Sequence, residues 1–103
     1  MLASDVEVAD SVFSQMRGLM FRRSIPDDYG LLFRFDTAES RSLHMLFVPF
    51  AIDALWLVDN EVVAKKRLRP WLGLGRAAAD TLVELPAGAA DGVAVGDRVA
   101  LVE

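Results

Sequence analysis

A chain of 103 residues, 53% of them hydrophobic, is long enough to bury one core and too apolar to be disordered. Its lack of cysteine excludes a disulfide framework, a thiol nucleophile and a thiolate metal site, and a single histidine argues against zinc. The net charge of −4 argues against general nucleic-acid binding, although KKRLRPWLGLGR, Lys65 to Arg76, carries five basic residues and no acid, leaving −9 on the remainder.

These bounds predict one domain over residues 1–103, a monomer with no metal and no cofactor. The opening MLASDVEVADSV lacks the basic and apolar regions of a secretory signal, so the expected compartment is the cytoplasm. Residues 43–58 hold His44, Pro49 and Asp53 and fall short of the roughly 20 apolar residues of a membrane helix, so no membrane span is expected.

Residues 4–8, SDVEV, alternate polar and apolar and predict a short strand. From Ala9 to Met20, the residues Val12, Phe13, Met16, Leu19 and Met20 fall at helical spacing behind a cap at Asp10 or Ser11, which predicts a short helix. SIPDDYG is turn chemistry. LLFRF alternates as a strand, Thr37 to Ser40 reads as a polar connection, and residues 41–47 form another strand. In that strand Ser42, His44 and Leu46 share one face, while Leu43, Met45 and Phe47 share the other.

Pairing should pause at Pro49 and resume over residues 51–58, with Ile52, Ala54, Trp56 and Val58 facing one way and Asp53, Leu55 and Leu57 the other. Asp59-Asn60 reads as a two-residue hairpin loop into a return strand from Glu61 to Leu68. RPWLGLGRAAAD reads as a long loop exposing Trp71, Leu72 and Leu74. TLVEL is a strand ended by Pro86, AGAADGV a helical turn, and GDRVALV the last strand. Six or seven short strands with one or two short helices make a mainly β domain, bordering on α+β. The prediction is a small antiparallel barrel or half-barrel.

Five stretches in this order, RGLMFR (17–22), GLLFRF (30–35), VPFAIDALWL (48–57), LVELPAG (82–88) and VGDRV (95–99), resemble the family known as domain of unknown function 192, found in bacteria and archaea. The resemblance covers the chain from Arg17 onward. It implies a compact β-rich fold with short helices, and it implies no activity. Two departures stand out: His44-Met45, where many relatives have Trp-Met followed by Lys-Asn, and the shorter RPWLGLGR loop.

Asp53 lies among Phe50, Ile52, Leu55 and Trp56, so its carboxyl is either paired or raised in pKa. It reads as a ligand-orienting acid at a pocket or as an acceptor for backbone N–H groups in the turn after Pro49. His44 reads as a general acid or base or as a satisfied strand residue, and a His44/Asp53 dyad requires their strands to be neighbours in register. Arg17, Arg22 and Arg23 flank an apolar run as an anion clamp or as snorkelling side chains. No G-x-S-x-G elbow supports Ser-His-Asp catalysis, and GLGR is no phosphate loop.

Three functions follow. The first is a non-enzymatic module binding a small anionic or sugar-like ligand in a shallow cleft. Met45, Trp56 and Trp71 would line it, with Asp53, Arg17, Arg22, His44 and Arg69 as further candidates. The second is an acid/base enzyme using His44 and Asp53. The third is an interaction module that meets a protein partner through Trp71, Leu72 and Leu74.

Overall fold

The computed structural model describes residues 2–9, 18–20 and 22–100. Five strands, β1 (Asp5–Ala9), β2 (Tyr29–His44), β3 (Ile52–Val58), β4 (Glu61–Leu68) and β5 (Leu74–Pro86), form one sheet in the order β1-β2-β5-β3-β4. The mainly β expectation is borne out. The sheet stays open: β1 and β4 are its two edges, β1 runs parallel to β2, and the other pairings are antiparallel. No helix occurs among the described residues, and none there is long and apolar enough to cross a membrane. The helix expected from Ala9 to Met20 falls largely outside the described residues, as does Arg17; Ala9 itself closes β1.

The hairpin at Asp59-Asn60 forms as expected. Both residues take positive φ, 50° and 67°, the backbone that matches a two-residue turn to twisted strands. Two other expectations are corrected by β5. The long loop after Leu68 ends at Gly73, because β5 begins at Leu74 and its first half pairs with β2. The polar connection at 37–40 lies inside β2, where residues 35–38 bulge opposite Asp80 between the pairs Arg34↔Thr81 and Glu39↔Ala79. Arg41 braces this bulge from within. Its guanidinium donates to the carbonyls of Thr37 (2.8 Å) and Ala79 (3.3 Å) and stacks 3.9 Å from the centre of the Phe35 ring. The final strand is reduced, among the described residues, to one bridge between Glu61 and Arg98.

Both faces of the sheet carry a core, which is why β3 is buried almost end to end. One face holds Phe33, Met45, Ile52, Ala54, Trp56, Leu68 and Leu82. The other holds Leu55, Leu57, Val62, Leu85, Ala90 and Val93. Trp56 lies beneath β5, its Nε1 donating to the Arg41 carbonyl at 2.9 Å. Gly75 makes that approach feasible, since a Cβ there would stand 2.5 Å from the indole.

Candidate functional site

Two carboxylates are buried in the centre of the sheet, and they belong to opposite faces. Asp53 pairs with Leu85 and Glu84 with Ala54, so neighbouring strands point one acid each way. Asp53 is 1% exposed and fully occupied. Its Oδ1 accepts from Arg67 Nε at 2.8 Å, and its Oδ2 accepts the N–H groups of Gly88 (3.0 Å) and Ala90 (3.1 Å). Burial works to raise this carboxyl, but Arg67 and the two backbone donors outweigh it and hold the pKa below the usual aspartate value. Backbone N–H groups are indeed its partners, from the turns after Pro86 and not from the turn after Pro49.

The same turns receive Lys65, whose ammonium donates to the carbonyls of Ala90 (2.7 Å) and Val93 (2.8 Å), while Arg67 continues to Asp91 at 2.7 Å. Two members of the basic run are therefore braces for the segment that follows β5.

The His44/Asp53 dyad is not formed. The two residues lie on β2 and β3, which β5 separates, and Asp53 faces away from the cleft that His44 borders. His44 is exposed, and its Nδ1 accepts the Leu46 N–H at 3.2 Å, which assigns the proton of the neutral ring to Nε2. Met45 and Trp56 are each 1% exposed and belong to the core, whereas Trp71 is 53% exposed at the far loop. Those three residues do not share a cleft.

A cleft does exist on the Trp56 face, with a cavity of about 280 Å³. Its floor is Leu82 and Glu84 of β5, its apolar wall Phe33, Phe35, Leu43 and Val48, and its third side Gly18, Leu19 and Met20. Residues 40–44 close it with the part of β2 that β1 does not cover. Glu84, which sequence reasoning passed over as one letter of TLVEL, is its chemical centre. Its residue is 2% exposed, and its Oε2 is buried with no hydrogen-bond partner among the described residues. Desolvation pushes the carboxyl up to about 8, with Arg22 working against the rise, so at neutral pH the group is mostly the uncharged acid.

Gly18 lies directly beside that group, at φ 52°, where a Cβ would stand 3.9 Å from Oε2. The signal for Glu84 was present in the sequence: on an alternating strand it shares a face with Leu82. Only the central position of β5 turns that parity into burial.

Arg22 is engaged before it reaches the cleft. It pairs with Glu7 at 3.3 Å and stacks 5.1 Å from the Tyr29 ring centre, and the Tyr29 hydroxyl donates to the same Glu7 at 3.0 Å. Burial, then the bond to Glu7, pushes Tyr29 up to about 12. Arg69 is exposed in the turn after β4 and takes part in no ion pair among the described residues.

An open five-stranded, mainly β sheet with a small cleft over a buried acid is the class that fold and site define. Residues 1–101 match the model of the DUF192 family, described as "Uncharacterized ACR", and the chain belongs to that family. A UPF0127 protein of Thermococcus sibiricus is 34% identical over 100 residues, 91% of this chain, which spans 64% of that protein's length. Another UPF0127 protein, from Pyrococcus furiosus, is 37% identical over 92% of this chain and 84% of its own. A crystal structure of a protein of unknown function from Novosphingobium aromaticivorans superimposes with a TM-score of 0.83 at 23% identity, over 93% of this chain and 74% of that one, and carries the fold alone. Residues from four of the stretches that carry the family resemblance, RGLMFR, GLLFRF, VPFAIDALWL and LVELPAG, meet at the cleft.

Proposed function

We propose that the protein is a small-ligand binding module whose ligand occupies the Glu84 cleft, and that the ligand is sugar-like rather than anionic. The observation that carries this reading is the buried Oε2 of Glu84 at the floor of a cavity, without a hydrogen-bond partner among the described residues. Buried polar atoms are nearly always hydrogen-bonded, and a ligand oxygen would complete this one. A carboxyl kept protonated at neutral pH acts as a donor, so it suits a hydroxyl, ether or carbonyl oxygen.

The charges near the cleft among the described residues argue in the same direction. Arg22 is paired with Glu7, and Arg41 is spent on backbone carbonyls and the Phe35 ring, so neither is free to receive an anion. Ser40, Ser42 and exposed His44 border the cavity along the edge of β2, beside the apolar wall of Phe33, Phe35 and Leu43. A ring with hydroxyls on its edge and C–H groups on its face fits that combination. The cavity is near the lower end of the roughly 300–1,000 Å³ of small-molecule sites.

Thermal shift at neutral pH against neutral monosaccharides, polyols, sugar phosphates and organic acids tests the reading. A ligand at 100 times its Kd adds about 2.7 kcal/mol, and each kcal/mol raises the midpoint of such a domain by roughly 4–8 °C. Neutral sugars or polyols should give the shift, and Glu84→Ala should abolish it. A response to the anionic compounds alone would replace the sugar-like ligand by an anionic one, and no response in either group would remove the cleft as a binding site.

A further inference from the structure

The end of the sheet beyond the cleft is built from two loops, residues 45–48 and 69–73, stitched together by backbone bonds. Met45 donates to the Gly73 carbonyl and Trp71 to the Val48 carbonyl, each at 3.0 Å. Both loops hold an aromatic residue at positive φ, Phe47 at 61° and Trp71 at 65°, a backbone region that bulky side chains rarely adopt. The two rings meet edge to face, with centroids 6.4 Å apart, and Trp71 remains 53% exposed. Leu72 is 70% exposed and Leu74 65%, with Leu46 also outward. The backbone therefore carries an unfavourable conformation at two places to present a continuous apolar tip to the outside.

The segments that build the tip carry charge of one sign. Segments 40–52 and 62–79 contain no Asp or Glu, on a chain whose net charge is −4. Lys65 and Arg67 turn to the other face as braces, which leaves Lys66, Arg69 and Arg76 around the tip. Lys66 donates to the Leu74 carbonyl, while Arg69 and Arg76 are exposed and in no ion pair among the described residues.

We propose that the tip formed by Phe47, Trp71, Leu72 and Leu74 docks the protein reversibly on an anionic lipid surface, the apolar side chains entering the headgroup region while Arg69 and Arg76 meet lipid phosphates and carboxylates. Exposed Trp, Phe and Leu side chains with cations beside them are the composition of an interfacial anchor. Tryptophan favours that depth, and long cations keep their charge at the polar boundary while their stems lie on apolar surface. The charge complementarity selects acidic membranes over neutral ones.

Co-sedimentation with vesicles of equal parts phosphatidylcholine and phosphatidylserine, against phosphatidylcholine alone, tests this on the full chain. Trp56 is buried in the core, so a blue shift of tryptophan emission on binding reports Trp71. The anionic vesicles should retain the protein and shift the emission, and high salt should release it. The double variant Trp71→Ser/Leu72→Ser should lower partitioning at least about ten-fold, and Arg69→Gln about five-fold. These side chains are exposed, and an unchanged melting midpoint certifies the fold of each variant. Equal binding to neutral vesicles, binding unaffected by the double variant, or no binding at all would overturn the proposal, the last in favour of a protein partner for the same tip.

Discussion

Asp53 and Glu84 are adjacent across the β3–β5 ladder, equally buried, and opposite in condition. Asp53 faces a segment of turns that supplies two N–H groups, with Arg67 of β4 beside it, so its charge is stabilised and its role is to hold those turns. Glu84 faces a cavity, keeps an oxygen without a partner among the described residues, and holds its proton to about pH 8. Burial alone therefore does not decide whether a carboxyl is structural. What decides is whether the surrounding backbone answers it.

Removing the satisfied acid should have the largest effect. Asp53→Asn leaves two buried backbone donors facing an amide and removes the partner of Arg67, so unfolding free energy should fall by about 3 kcal/mol, visible as a drop of more than about 10 °C in the melting midpoint. A loss below about 1 kcal/mol would mean the turns after Pro86 hold without it.

The unsatisfied acid should behave in the reverse sense. Its folded pKa of about 8 lies above the unfolded value of 4.5, so between those limits the folded state binds the extra proton and stability falls as pH rises. The slope from this group approaches about 1.4 kcal/mol per pH unit in that window, and its stabilising share is complete only below the unfolded pKa. Glu84→Gln should flatten the profile from pH 5 to pH 8 and leave the variant more stable than the parent at the alkaline end. Denaturant melts across this range would show an unchanged slope if the carboxyl were already ionised in the fold.

Arg67→Ala is a milder probe of the first region, because the guanidinium is half exposed and the Gly88 and Ala90 donors remain. The loss, read as the drop in melting midpoint, should be clearly smaller than for Asp53→Asn. The smallest effect belongs to Arg22→Gln, which removes the charge that favours Glu84 ionisation. It should move the Glu84 titration upward, as followed by the carboxyl carbon resonance in NMR, and a downward move would show that another group sets that pKa.

Local pattern carried much of the fold. Alternation marked β1, β3 and β4, and Asp59-Asn60 supplied a turn whose residues tolerate positive φ. It misread residues 37–40 and 74–80, because Thr, Ala, Glu and Ser at a bulge, and Leu, Gly and Ala in a strand beneath Trp56, have no strong local preference for either state. Pairing across the sheet decided both.

Of the site, the sequence indicated that Asp53 would sit among apolar residues beside Trp56 and that Lys65 to Arg76 concentrates basic residues without an acid. It could not say which acid would be left without a partner. Parity along a strand is a local property, readable from the order of residues. Strand order is not: placing β5 between β2 and β3 separated His44 from Asp53, buried Glu84 beside Gly18, and set which backbone groups each carboxyl would meet.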